Sequence, residues 1–381
     1  MMAKNKLSAI INLTEDHTVT LPLTNARPIA ALPFAGRYRV IDFVLSAITY
    51  AEIDSVAMFI GESGRSIYDH VRSGESWDLD NKIRGGIFTY SQQNWKKQHH
   101  TENDIEDFYY NHRLYLERSK TDYVFVSGSS VIANADLQNI CTQHVASGKD
   151  ITVIYSPVQE NLESIRENNR IFLVEGEQDE VRAFGPQDVA TSDKLNVSLN
   201  SYILSVDKMN EIMEQALADG IYLDVDALLE QYLSDLTINA YEYTGFAKKI
   251  NSIESYYEAN MSLLDRKKFA SLLQTSIPVL TKRKNGSPTY YDAESKVRQS
   301  IIGSDTSIFG EVTDSVINRR VEVAKDASVT NSILLQGVKV GEGAKIEYAI
   351  IDKNTVVEPG AQIIGSPDDL VVIAKGSHIE A

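Results

Sequence analysis

Residues 315–365 read as three lines of seventeen: Ser315–Asn331 is SVINRRVEVAKDASVTN, Ser332–Tyr348 is SILLQGVKVGEGAKIEY, and Ala349–Gly365 is AIIDKNTVVEPGAQIIG. Stacked in this way, the columns agree. Ser315-Val316-Ile317, Ser332-Ile333-Leu334 and Ala349-Ile350-Ile351 open the lines. Val323, Val340 and Val357 share one column, Val329, Ile346 and Ile363 another, and Ala327, Ala344 and Ala361 a third. Within a line the steps are six, six and five residues. A chain generates this spacing when it lays one short strand on each of three faces and sends one aliphatic side chain inward per face. Aliphatic ladders then form the core of a hexapeptide-type parallel β-helix. Gly341, Gly343, Gly360 and Asp326 fall in its turns, where open backbone angles are needed. Gly341-x-Gly343 is therefore a turn and not a dinucleotide fingerprint, since no further glycine and no long helix follow it.

Upstream the pattern changes. Thr281–Pro288 (TKRKNGSP) is basic and turn-rich, as expected of an exposed connection. Before it, short apolar runs rich in β-branched residues alternate with segments of helical periodicity: Leu7–Leu13, Ser55–Ile60, Tyr123–Ser127 and Ile151–Tyr155. Buried strands alternating with helices predict an α/β domain with a mostly parallel sheet. Helices are expected over Ile105–Ser119 and Ala135–Ser147. In the second, Leu137, Ile140, Cys141, His144 and Val145 share a face, so that His144 is a packing residue. The expected division is an α/β domain over 1–280 and a left-handed β-helix over 281–381.

The chain has 381 residues, 43% of them hydrophobic and 24% charged, which suits two folded domains and excludes both a disordered chain and a disulfide-stapled miniprotein. The formal charge of −16 opposes general attraction to nucleic acid or anionic lipid. Cys141, the single cysteine, permits no intrachain disulfide and reads as a small buried hydrophobe in a reducing compartment. The apolar stretch Leu7–Leu13 is broken by Ser8 and Asn12 and lacks a cleavage pattern, so it reads as a strand and not a secretory leader. No apolar run approaches the ~18 residues needed to span a membrane. The expected location is cytoplasmic. β-Helix domains often serve histidine-dependent acyltransferases, but here the only histidine after residue 281 is His378, near the end of the chain.

Two long segments carry a resemblance. Arg27–Ser46 (RPIAALPFAGRYRVIDFVLS) resembles the KPAVPFGGKYRIIDFALSN segment of glucose-1-phosphate adenylyltransferases (ADP-glucose pyrophosphorylases). Tyr241–Met261 (YEYTGFAKKINSIESYYEANM) is similar to that family's Y-x-G-Y-W-x-D-I-G-T-I-E-S-Y-Y-E-A-N-M. With Trp77-Asp78-Leu79-Asp80 and the β-helix, the resemblance covers nearly the whole chain. It implies a Rossmann-like nucleotidyltransferase domain ahead of a left-handed β-helix.

The departures decide the functional expectation. The family's first strand leads into a Gly-Gly-x-Gly-x-Arg-Leu loop whose amides approach the nucleotide phosphates closely. Here the stretch is Asn12-Leu13-Thr14-Glu15-Asp16-His17-Thr18-Val19-Thr20-Leu21, without a glycine, and Glu15 and Asp16 add negative charge where a triphosphate would sit. The family holds Mg²⁺ with the aspartates of a Ser-Gly-Asp motif and of Trp-x-Asp-Ile-Gly-Thr. Here these positions carry Ser129 and Lys249, a hydroxyl and an ammonium in place of two anions. Gly-Thr-Ala becomes His100-Thr101-Glu102, and Glu-Lys-Pro, the sugar-phosphate motif, becomes Phe184-Gly185-Pro186. The His99-His100 pair reads as a solvated loop, because adjacent residues of an extended segment point apart.

The resemblance therefore implies a regulatory subunit without catalytic residues, metal or other cofactor of its own. Its expected partner is a catalytic glucose-1-phosphate adenylyltransferase subunit, which would hold the Mg²⁺, in a hetero-tetramer serving glycogen synthesis. Basic side chains of the PFGGKYR-like segment and of the β-helix line an effector site in the family, making Arg37 and Arg39 candidates for binding a phosphorylated metabolite, with Arg319-Arg320 weaker ones. Two other readings stand beside this one. An active nucleotidyltransferase with a rearranged metal site would draw on Glu15, Asp16, Glu102 or Asp104. A sugar-phosphate sensor would use Lys249 as a point charge. Asp42, Ser46 and Trp77 are expected to serve packing or capping.

Overall fold

The computed structural model describes residues 6–61, 64–80, 85–92, 108–175 and 181–381. The chain forms two compact units: Met1–Glu15 with Phe43–Lys249, and Asp16–Asp42 with Ile250–Ala381. The seam expected at residue 280 thus lies inside the second unit, which also takes in an early segment of the chain.

In the first unit a nine-stranded sheet runs in the order Gly86–Ser91, Ser55–Ile60, Leu7–Leu13, Tyr123–Gly128, Leu195–Ser205, Ile151–Val158, Ile238–Glu242, Val181–Phe184, Phe172–Glu175. Leu7–Leu13 is buried along its whole length and pairs in parallel with strands on both sides, as an unbroken apolar run dictates. Leu195–Ser205 runs antiparallel to both its neighbours. Its ladder slips between Ser198 and Tyr202, where Asn200 takes φ 50°. Such an irregularity re-aims a side chain, and here Asn200 Nδ2 meets Asp226 Oδ2 at 3.0 Å.

The helix Leu137–Ser147 begins two residues later than its periodicity suggests, because Asp136 accepts the Asn139 N–H at 3.0 Å and caps it. Leu137, Ile140, Cys141 and His144 are buried, whereas Val145 is exposed at 39% and leaves the shared face. His144 Nδ1 lies 2.9 Å from Thr152 Oγ1, a satisfied packing contact, and burial pushes the Cys141 thiol up to about 11. The helix expected over Ile105–Ser119 is seen as Tyr110–Ser119; residues 105–107 lie outside the described residues. Trp77, Asp42 and Ser46 are fully buried.

The second unit holds the left-handed β-helix. Its three sheets run Tyr290–Tyr291 through His378–Ile379, Lys296–Arg298 through Gln362–Ile364, and Ile301–Ile302 through Val371–Ile373, parallel throughout. Val323 pairs with Val340 and Val340 with Val357, while Val329 pairs with Ile346 and Ile346 with Ile363, so the aligned columns are the core ladders. Serine forms a ladder of its own: Ser315 Oγ accepts the Ser332 N–H and Ser332 Oγ the Ala349 N–H, each at 3.1 Å. At Gly341 an added Cβ would lie 2.5 Å from Pro359 N, so glycine is required where consecutive coils touch. His378 pairs with Glu358 at 2.8 Å on an exposed surface.

Candidate functional site

Side-chain hydrogen bonds tie the loop after the first strand to the residues around it. Asn12 Nδ2 donates to Asp226 Oδ1 at 2.5 Å, and Thr14 Oγ1 lies 2.8 Å from Asn12 Oδ1 and 2.5 Å from Asp224 Oδ2. Asn200 Nδ2 holds the second oxygen of Asp226 at 3.0 Å. Glu15 then reaches Ser129, whose amide donates to Oε1 and whose hydroxyl lies 3.0 and 2.8 Å from Oε1 and Oε2. Gly128 makes this approach possible, because a Cβ there would sit 2.6 Å from Asn200 Nδ2 and 3.2 Å from Glu15 Oε1. Lys249 lies on the short strand Lys248–Lys249, which pairs with Val131–Ile132.

Electrostatically this pocket is a closed account of internal charges. Burial of its carboxylate and then the charge of Asp226 push Glu15 up to about 7, against the lowering effect of the Ser129 bonds. Burial also raises Asp226, offset chiefly by Asn200, and Glu230, offset chiefly by Lys249. Burial lowers Lys249, while Glu230, Asp226 and Glu15 support its charge.

These donors do not fit a divalent cation. An ammonium stands at one metal-ligand position, the hydroxyl at the other is engaged by Glu15, and no His, Cys, Asp or Glu cluster among the described residues is arranged for a metal. Of the carboxylates that a rearranged metal site would draw on, Glu15 is bound to Ser129. Asp16 Oδ1 instead caps a turn through the Thr18 amide and hydroxyl at 2.9 and 2.6 Å. Glu102 and Asp104 lie outside the described residues, as do His99, His100 and Thr101. Gly185 stands before a short 3-10 turn, Pro186–Val189, where its N–H meets Asp188 Oδ2 at 3.1 Å.

Glu15 offers a pH test. Its folded pKa lies above the ordinary 4.5, so folding favours its protonated form, and the native state loses stability as pH rises from about 4.5 to about 7. Glu15→Gln, neutral throughout and still an acceptor for Ser129, is expected to change stability by less than about 0.5 kcal/mol at pH 4 and to add roughly 1–3 kcal/mol at pH 8.5. Urea denaturation at the two pH values reads the difference, and equal effects at both would contradict it.

The second unit carries a different cluster. The hairpin Pro33–Phe34 to Tyr38–Arg39 turns through Ala35 and Gly36, both at positive φ, and Gly36 sits so close that a Cβ would come 3.1 Å from Ile317 O. Ala35 N–H donates to Asn260 Oδ1 at 3.0 Å, and the Tyr256 hydroxyl to Pro33 O at 2.6 Å. The segments RPIAALPFAGRYR and IESYYEANM, far apart in sequence, thus fix one another. The hairpin presents Arg37 and Arg39 to a concavity that Lys284, Arg319 and Lys353 also line, as do Asn318 and Gln336.

Surroundings tune these cations. Arg37 stacks over the Tyr38 ring at 5.7 Å, and Arg39 N–H donates to Asp42 Oδ2 at 2.9 Å. Arg319 is buried, donating to Ser304 Oγ at 3.1 Å and lying 4.0 Å from Asp305. Arg320 is exposed and pairs with Asp305 at 3.3 Å. Burial, reinforced by Arg39 and Arg27, pushes Lys353 down to about 7. Lys284, more open to solvent, falls to about 8 by desolvation of its ammonium and the charges of Arg39 and Arg319.

Arg37 and Arg39 were legible from the matched segment. Lys284 lies in the stretch read as an exposed connection, and Lys353 had no local signal. In the first pocket Asp224, Asp226, Asn200 and Glu230 were likewise not singled out, although the pair Asp224-Val225-Asp226 at a helix start was a usable hint.

Comparison with known proteins agrees with this geometry. Residues 19–165 match the family described as "Nucleotidyl transferase", and residues 288–369 the family described as "GlmU-like, C-terminal hexapeptide". Among similar proteins, the "Glycogen biosynthesis protein GlgD" of Bacillus subtilis (strain 168) is 29% identical over 85% of this chain and 82% of its own length. That of Geobacillus stearothermophilus is 32% identical over 85% and 83%. The "Glucose-1-phosphate adenylyltransferase" of Clostridium novyi (strain NT) is 31% identical over 100% and 98%. With a nucleotidyltransferase fold, a hexapeptide β-helix and full-length similarity of this order, the chain belongs to the glucose-1-phosphate adenylyltransferase family of glycogen biosynthesis.

Proposed function

We propose that this chain is a regulatory subunit, itself catalytically silent, that joins a catalytic glucose-1-phosphate adenylyltransferase in a hetero-tetramer in the cytoplasm. The catalytic subunit would hold the Mg²⁺ and convert ATP and glucose 1-phosphate into ADP-glucose and pyrophosphate. One observation carries the reading: Glu15 fills the acceptor position at Ser129 while Lys249 stands at the other metal-ligand position. A retained fold around such a pocket is a scaffold for contact and regulation. The sugar-phosphate sensor finds less support, because the charge of Lys249 is already answered by Glu230, Asp226 and Glu15.

The concavity lined by Arg37, Arg39, Lys284, Arg319 and Lys353 is the place for a phosphorylated metabolite, since planar guanidinium groups suit bidentate oxyanion binding. Co-expression with a catalytic subunit is expected to give a stable complex whose saturation curve differs from that of the catalytic chain alone. Arg37→Ala should weaken the effector response of that complex about 10-fold, the worth of one charge-assisted contact. Absence of a complex, or an unchanged curve, would defeat the regulatory reading.

A further inference from the structure

The inference here rests on reading the concavity as an oxyanion receptor and concerns how that receptor is controlled. Lys353 follows Asp352, and both Asp352 oxygens accept from the buried Arg27 at 2.7 Å, while Oδ1 also takes the Lys353 backbone N–H at 2.6 Å. The neighbouring carboxylate is therefore committed to another cation. The charges that act most strongly on Lys353 are Arg39 of the hairpin, Arg27, Asp352 and Lys284, and Arg37 and Arg319 line the same concavity. Those that act most strongly on Lys284 are Arg39, Arg319, Asp42 and Lys282.

Arginine does not give up its proton in proteins, so where arginine and lysine crowd one concavity, the lysine sheds charge. An entering oxyanion reverses the balance by favouring every charged neighbour. We propose that oxyanion binding in this concavity is coupled to proton uptake by Lys353, which makes the site a proton-linked receptor whose affinity declines as the medium becomes alkaline. Half-buried beside Arg39 and Arg27, Lys353 is pushed down to about 7, so near neutrality roughly half of the empty sites carry an uncharged amine there. The sign follows from linkage. The ligand prefers the protonated form, so affinity is full at pH 5.5 and falls toward tenfold per pH unit above neutrality, as for any single linked proton.

Sulfate is the probe, because it does not titrate in this range and any proton taken up comes to the protein. Calorimetric titration at pH 7 in buffers of different ionisation enthalpy is expected to show roughly half a proton taken up per sulfate, falling to near zero at pH 5.5. Lys353→Arg should still bind sulfate, with that uptake lost. Equal uptake in Lys353→Arg and wild type, or none in a wild type that binds sulfate, would overturn the coupling and leave the receptor standing. No sulfate binding by either protein would overturn the receptor as well. The unmutated chain supplies a second reading: with ¹³C-labelled lysine, one side chain should titrate near pH 7 and move up by at least one unit in saturating sulfate. A spectrum with no such lysine would also sink the proposal.

Discussion

Incubated alone with ATP, glucose 1-phosphate and Mg²⁺, this chain is expected to form ADP-glucose at least ~10⁴-fold more slowly than the ~10 s⁻¹ of a median enzyme. Phosphoryl-group chemistry of this kind depends on a cation that bridges phosphate oxygens and absorbs their charge. At Ser129 and Lys249 the chain offers a hydroxyl already bound to Glu15 and an ammonium that would repel the metal. The double change Ser129→Asp with Lys249→Asp is expected to stay silent too. It would place three carboxylates with Asp226 close to Glu15, and the loop after Asn12 would still lack the glycines that admit phosphate. A coupled pyrophosphate assay checks both proteins. Chelator-sensitive turnover within a hundredfold of the typical value would establish an active enzyme with a reorganised site.

The largest effect on stability is expected from Arg27→Ala. Arg27 and Asp352 are 5% and 2% exposed and joined at 2.7 Å through both carboxylate oxygens. Removing one member of a buried pair strands the other, which costs about 3–5 kcal/mol. Replacing both by apolar residues, Arg27→Met with Asp352→Leu, should recover most of that loss, since desolvation of the pair offsets much of its attraction. Urea unfolding followed by circular dichroism tests the two variants together. If the single change costs less than about 1 kcal/mol, the pair is worth no more than a surface one. Arg27 and Asp352 belong to the second unit and Glu15 to the first, so the pH dependence assigned to Glu15 should persist in both variants.

Some of this architecture was written in short-range pattern and some was not. The β-helix announces itself because every ladder repeats at one fixed interval, so a single chain supplies its own alignment. The strands Leu7–Leu13 and Ser55–Ile60 were legible because burial on two faces demands uninterrupted apolar runs. Leu195–Ser205 mixes Asn196, Ser198, Asn200 and Ser201 with its apolar residues, and its antiparallel place between two earlier strands is a long-range outcome. The union of Asp16–Asp42 with Ile250–Ala381 likewise depends on contacts such as Tyr256 to Pro33, which no window of sequence contains. The departures at Ser129 and Lys249 could be read from a motif. The network of Asn12, Asn200 and Asp226 beside them could not, because its hydrogen-bond partners lie 26 and 214 residues apart. The exposed position of Val145, one turn from a C-terminal glycine, shows how a helical stripe loses definition near its end.

The serine ladder, Ser315 to Ser332 to Ala349, and the valine column beside it bind each coil only to the ones directly above and below. A rod built in that manner is modular along its axis. Excising or duplicating one complete seventeen-residue coil between Ser315 and Tyr348 would leave every remaining rung in register, whereas a deletion of sixteen would put aliphatic groups into water at each subsequent face. Rod length is thus a quantity that evolution, or an engineer, can change in whole steps without renegotiating the core.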